Sequence, residues 1–197
     1  TIKPDYLLAK NNLDLALKIY VPQWHITMLN DKSRNNAYLE AIKLAVKKES
    51  LVLEIGTGSG LLAMLAAANG ADKVITCEEN KIISKTAKKI ISKNGYEKKI
   101  NVINKKSTHL MIGEDIPKKA DLLISEILSS QFVGEGILES IFDARNRLLK
   151  DKGKMIPESG AIRIALIGEN REILDSVSIK KFTFSFKFKS ILLGVIS

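Results

Sequence analysis

The sequence predicts an α/β domain whose sheet is parallel and covered by helices on both faces. Three observations carry this expectation. Short apolar runs alternate with helical segments from "LVLEI" (51–55) to "GKMIP" (153–157). A glycine-rich turn, "GTGSG", follows the first of those runs directly. After Pro157 the alternation stops, and a two-residue period takes over in "KFTFSFKFK". Strands separated by helices need crossover connections, hence a parallel sheet. With right-handed crossovers the arrangement is doubly wound and Rossmann-like.

Taken in order, the first fifty residues read as helical. Leu7, Leu8, Leu13, Leu17 and Tyr20 can share one side of a helix or helix pair, and Pro22 interrupts it. A further helix is expected from the capping residues Asn30–Asp31 through Tyr38, Ile42 and Val46. "LVLEI" is the first buried strand, and "LLAMLAAA" is an apolar helix stopped by Gly70. "KVITCEE" is the second strand. The next helix places Ile83, Ala87, Ile90 and Ile91 on one face and stops at Gly95. "INVIN" and "DLLISE" are the third and fourth strands, "GILESIFDARNRLLK" is an amphipathic helix, and "GKMIP" closes the series. "AIRIALIG" and the strand carrying Phe182, Phe184, Phe186 and Phe188 have the pattern of half-buried antiparallel strands.

Composition narrows the class. The chain has 197 residues, a formal net charge of +9 and 45% hydrophobic residues, which suits one domain of ordinary size with a short appendage. Cys77 is the only cysteine, so the fold is not a disulfide scaffold, and a reducing, cytoplasmic compartment is expected. No apolar run approaches the ~20 residues that span a bilayer, and the N-terminus lacks the layout of a signal peptide. No His/Cys cluster has metal-ligand spacing. The lysines are spread along the chain. They fit either a solvated surface or a nucleic-acid partner.

In a doubly wound sheet, ligands bind beyond the carboxyl ends of the strands. Gly56 and Gly58 sit at such an end, where the backbone can approach a ligand closely, and Gly60 opens the next helix. A dinucleotide fingerprint would carry its third glycine at position 61, which is Leu. The spacing here is G-x-G-x-G, preceded by Glu54. It resembles the first motif of class I S-adenosylmethionine-dependent methyltransferases. Glu78 ends the second strand, where a carboxylate can accept both hydroxyls of a ribose; Glu79 beside it competes for the role. That pairing of loop and acid favours an adenosine-containing cofactor, S-adenosyl-L-methionine.

Past the fourth strand, "SEILSSQFVGEG" holds two carboxylates, Glu126 and Glu135. Base-methylating enzymes carry Asn/Asp-Pro-Pro-aromatic at this place, and the chain does not. Two carboxylates suit a guanidinium, whose planar fork of N–H donors binds them bidentately. They can also localise its charge, so that one nitrogen becomes the better nucleophile.

With these residues the sequence resembles the protein arginine N-methyltransferases, whose paired-glutamate loop matches Glu126 and Glu135 in spacing. "WHITMLNDKSRNNAYLEAI" is similar to that family's N-terminal cofactor-binding helix, and "LVLEIGTGSG", "CEE", "NKKST" and "GKMIP" follow in order over roughly Pro22 to Gly168. The resemblance implies transfer of a methyl group from S-adenosyl-L-methionine to an arginine of a protein or peptide. It implies that Arg34 binds the methionine carboxylate, that His25 and Met28 border the cofactor and substrate, and that Ser107 and Thr108 lie at the adenine edge. Asp31 falls where the family places the acidic partner of a loop histidine, and it is equally a plain helix N-cap. The implied organisation is a helical cofactor-covering segment (1–50), a Rossmann-like cofactor-binding domain (51–157) and a partial β-barrel-like segment (158–197).

The chain departs from the pattern in three places. Leu15, Ala16 and Ile19 stand where the family has a Tyr-Phe-x-x-Tyr signature. The glutamate loop lacks Met-Gly-Tyr. No histidine follows His109, and the sequence ends at Ser197 soon after the first strands of the expected barrel. A truncated barrel implies weak arginine methylation by this chain alone. Its phenylalanine face then needs cover from the Rossmann domain, a second copy of the chain or another polypeptide, with "SILLGVIS" as a partner strand. Two other function classes stay open: a methyltransferase acting on RNA or another protein group, and a catalytically silent module that binds a cofactor or partner. His109, Cys77 and the phenylalanine strand are read as structural.

Overall fold

The structure is a computed structural model, and it describes residues 24–127, 136–165, 181–187 and 190–196. The expected helix through Leu7–Tyr20 lies outside these residues. Two helices lead in, α1 (Trp24–Asn30) and α2 (Lys32–Ala45). Asp31 separates them as the N-cap of α2, its side chain accepting from the Arg34 amide at 3.0 Å. That satisfies one of the donors a helix start leaves unpaired.

The strands β1 (Leu51–Ile55), β2 (Lys73–Cys77), β3 (Ile100–Ile103), β4 (Ala120–Ser125) and β5 (Leu149–Ile156) form one sheet in the order β3-β2-β1-β4-β5. Every pairing in it is parallel. The crossovers are α3 (Leu61–Ala68) between β1 and β2, α4 (Lys81–Lys93) between β2 and β3, and α5 (Ile137–Asp143) between β4 and β5. The Rossmann-like expectation is met. Gly70 and Gly95 close their helices as expected, with Ala71 and Tyr96 bonding back to Ala66 and Ile91. One difference concerns the last crossover. The predicted single amphipathic helix is α5 followed by a π-helical turn over Ala144–Leu148, where the Leu149 amide bonds to the Ala144 carbonyl.

Alternate residues of each strand serve two cores. Val52, Val74, Leu122 and Ile124 pack with Ile42 of α2, Ala63 and Ala66 of α3, and Ala87 and Ile91 of α4. Leu53, Ile55, Ile75 and Leu123 face the other way, onto Leu110, Ile116, Ile137 and Ile141. A strand buried on both faces is apolar along nearly its whole length, which is why "LVLEI" and "DLLIS" read as near-continuous runs, with Glu54 and Asp121 as their acidic residues. Beyond Pro157, β6 (Ser159–Ala165), β7 (Lys181–Lys187) and β8 (Ser190–Ile196) form a separate antiparallel sheet in that order. The register pairs Phe182 with Ile164, Phe184 with Ile162 and Phe186 with Gly160, and β8 is the expected partner strand. Phe188 lies outside the described residues.

Leu122 is 1% exposed at the centre of the first core. Leu122→Ala should lose about 2–5 kcal/mol, the transfer term plus the cavity left behind. Urea denaturation should show a lowered midpoint at unchanged slope; a loss under about 1 kcal/mol would contradict the packing described.

Candidate active site

The strand order reverses beside β1, so the carboxyl ends of β1, β2 and β4 meet at a crevice. A cavity of about 390 Å³ lies there. Met28, Arg34, Glu54, Gly56, Gly58, Glu78, Ser107 and Glu126 all line it, although the chain delivers them from six separate segments. Gly60 starts α3 behind this lining. Thr108 follows Ser107 in a 3-10 turn (Ser107–His109) and is not part of the wall. His25 belongs to α1, and its side chain is outside what the structure describes. Glu135 lies outside the described residues.

The glycine turn is held from two sides. The Cys77 carbonyl accepts from the Gly56 and Thr57 amides at 3.0 and 3.1 Å, and the Gly58 amide donates to Glu78 Oε2 at 3.1 Å. Gly56 has a φ of +85°, and a Cβ added there would stand 2.7 Å from Ile127 Cγ2, so both backbone and space require glycine. Glu78 Oε1 accepts from the Asn80 amide at 2.9 Å. Glu78 is therefore fixed by β2 and half-buried, whereas Glu79 is exposed. Of the two acids, Glu78 is the one built into the turn.

Glu54 is 1% exposed at the end of β1. The Thr76 hydroxyl donates to its Oε2 at 2.5 Å, and Thr57 and Thr76 are 2.6 Å apart. Either threonine hydroxyl can donate to the other, and the three side chains form a hydrogen-bonded chain beneath the glycine turn. Burial drives the Glu54 carboxyl up from 4.5 to about 8, against the bonds from Thr76 and the Ala63 amide. Cys77 is buried, its thiol pushed up to about 12, mainly by desolvation, as suits a core residue.

Across the cavity, Arg34 Nη2 meets Glu126 Oε2 at 2.7 Å, with side-chain exposures of 17% and 14%. Sequence reasoning assigned these two residues to different ligands; the fold pairs them. Arg34 Nη1 donates to Asn35 Oδ1 at 2.8 Å, and its guanidinium carbon lies 5.3 Å from the Tyr38 ring centre. Arg34 Nε is buried without a hydrogen-bond partner among the described residues. The Tyr38 hydroxyl donates to the Ser125 carbonyl at 3.0 Å, tying α2 to the end of β4. Burial, then the charge of Glu126, hold the phenol neutral.

The sequence did not flag Tyr38, Thr57, Thr76 or Asn80 as site residues. Asn80 carried a usable signal: a capping residue directly after a strand-end acid, here the N-cap of α4, bonded to the Ile82 and Ile83 amides. Among the described residues no group of three His, Cys, Asp or Glu side chains can hold a metal ion, and no helix is long and apolar enough to cross a membrane.

A doubly wound sheet with G-x-G-x-G after β1 and an acid after β2 defines a methyltransferase-type nucleoside site. The model of the family described as ribosomal protein L11 methyltransferase (PrmA) matches residues 35–181, most of the chain, and the chain belongs to this family. It is 42% identical over 150 residues to an arginine N(omega)-methyltransferase of Streptomyces achromogenes subsp. streptozoticus, covering 76% of this chain and 42% of the relative. It is 44% identical over 138 residues to protein arginine N-methyltransferase 1.6 of Arabidopsis thaliana, covering 68% of this chain and 19% of the relative. The chain thus spans less than half the length of these curated relatives. A solved Trypanosoma brucei PRMT1 enzyme–prozyme heterotetramer with AdoHcy superposes with a TM-score of 0.74 at 23% identity, over 86% of this chain and 63% of that one, which establishes the shared fold. The resemblance to arginine methyltransferases is borne out by these relatives.

The raised Glu54 carboxyl sets a pH dependence. Below pH 4.5 it is protonated in the folded and the unfolded chain alike. Between pH 4.5 and 8 the unfolded chain releases a proton that the folded chain keeps, so stability falls as pH rises, then levels off. Across that window the loss is on the order of a few kcal/mol. Glu54→Gln removes the ionisation, so it should gain on the parent steadily between pH 5 and 8. Urea unfolding of both proteins checks this, and a pH-independent difference would contradict the buried neutral carboxyl.

Proposed function

We propose that the chain binds S-adenosyl-L-methionine in this cavity and directs its methyl group to a guanidino nitrogen of arginine. The observation that carries the reading is the Arg34–Glu126 pair at the end of β4, beside the glycine turn. Glu126 sits where it can grip a guanidinium, and it already does so. The fit to the cofactor rests on the unpartnered Arg34 Nε, a buried donor that an incoming carboxylate can satisfy. Glu78 keeps acceptor capacity beyond its two backbone bonds for a pair of ribose hydroxyls. Ser107 supports the adenine edge, and Met28 the side from which the acceptor enters.

When bound, the cofactor supplies an electrophilic methyl group on a sulfonium. The chain supplies binding, orientation and charge. Arg34 would fix the methionine end, and Glu126, with Glu135 as its proposed partner, would hold the acceptor guanidinium against that cationic centre. We assign residues 51–157 to the cofactor-binding domain, 1–50 to its cover and 158–197 to the start of a β-barrel-like part. The proposed acceptor is a protein or peptide arginine, a second copy of the chain is a candidate cover for the β6–β8 sheet, and the proposed compartment is the cytoplasm.

One observation supports a second acceptor class. Lys81, Lys85, Lys88, Lys89 and Lys93 fall on the exposed side of α4, opposite Ala87 and Ile91, a basic face suited to the phosphates of RNA. The two readings separate in one assay. The chain is incubated with methyl-labelled cofactor and either an Arg-containing peptide, free arginine or an RNA pool, and the position of the label decides. Label on a guanidino nitrogen is expected, reduced about a hundredfold or more by Glu126→Gln. Label confined to RNA would replace the arginine reading, and no label anywhere would favour a silent binding module.

A further inference from the structure

One guanidinium away from the cofactor cavity is engaged more fully than its position on a helix end requires. Arg147 lies in the π-helical turn after α5. Its Nε and Nη2 grip Asp143 Oδ1 and Oδ2 at 2.9 and 2.6 Å, a bidentate pair one helical turn apart. The same side chain reaches across to the 3-10 turn at Ser107–His109. Nη2 donates to the Ser107 carbonyl at 3.3 Å and the Thr108 carbonyl at 3.1 Å, and Nη1 donates to the Leu110 carbonyl.

The end of a helical turn leaves carbonyls without partners. Here the carbonyls of Ser107, Thr108 and Leu110, about forty residues away in sequence, converge on one planar fork, with the Ser107 carbonyl also accepting from the Leu110 amide at 3.2 Å. Asp143 fixes the plane of that fork, so the guanidinium acts as a rigid strut. Lysine, with three donors on one atom at the end of a flexible stem, cannot hold Asp143 bidentately and reach all three carbonyls at once. The turn so held carries Ser107, 3% exposed and part of the cavity wall. π-helical insertions occur disproportionately at functional sites, and this one carries the strut.

We propose that Arg147, oriented by Asp143, is a positioning residue that sets the adenine end of the cavity and hence its discrimination between nucleobases. The inference rests on the cofactor reading above. Arg147 does not line the cavity; it acts by placing the Ser107–His109 turn, where a displacement of about an ångström is enough to misalign contacts with a base edge.

The test uses the full chain and two ligands, S-adenosylhomocysteine and its inosine counterpart, in which a carbonyl replaces the 6-amino group. Dissociation constants are measured by calorimetry for the parent, Arg147→Gln and Arg147→Lys. The parent should prefer the adenosine form. Both variants should lose about tenfold or more in affinity for it, with the preference falling towards unity. Arg147→Lys keeps the charge beside Asp143, so it serves as the test if the Gln variant does not fold. Variants that keep the parent's preference, or a parent that binds both ligands alike, would overturn the proposal and leave the cofactor reading intact. A parent that binds neither would overturn both.

Discussion

β1 pairs in parallel with β2 on one side and β4 on the other, and the site depends on that constraint. Parallel pairing brings three carboxyl ends to one edge of the sheet. The register sets Ile55 beside both Cys77 and Ser125. The residue after each is then fixed in space: Gly56, Glu78 and Glu126. Antiparallel pairing would scatter them between the two ends of the sheet. The glycine turn follows from the same geometry, because it must pass under the Cys77 carbonyl and beside Ile127 with no room for a Cβ.

The second layer is electrostatic. Arg34 and Glu126 meet in a partly desolvated cavity, where removing one leaves the other's charge uncompensated. Tyr38 supports both, with its ring near the guanidinium and its hydroxyl on the carbonyl just before Glu126. Under the proposed assignment, the cofactor and acceptor subsites are therefore coupled through this pair. The single substitutions Arg34→Ala and Glu126→Gln will not add, and a double-mutant cycle measures their interaction. Glu54 belongs to a different regime. It is neutral near pH 7 and serves the turn through Thr76 and Thr57 rather than through charge.

Much of this was legible in the sequence for physical reasons. Buried parallel strands are mostly apolar on both faces, so the runs at 51–55 and 120–125 stood out. Left-handed turns need glycine, so the loop stood out as well. Glu78 and Glu126 were legible as acids directly after buried strands. The contacts between distant segments were not legible. Nothing local to Arg34 announces Glu126, and nothing in "DARNR" beyond its i,i+4 charge pair announces that Arg147 reaches Ser107–Leu110. Asp31 was open between an N-cap and an acidic partner, and its bond to the Arg34 amide shows the capping role in use. The π turn had no cue either, since apolar periodicity does not distinguish it from a continuing helix.

The central claim is that the crevice beside β1 is a nucleoside site for S-adenosyl-L-methionine, gripped at one end by Arg34. Calorimetric titration of the chain and its Arg34→Ala variant with S-adenosylhomocysteine, and separately with NAD, tests it most directly. The account predicts binding of S-adenosylhomocysteine that weakens by about tenfold or more in the variant, with no comparable binding of NAD. Tight binding of NAD with no response to S-adenosylhomocysteine would contradict it.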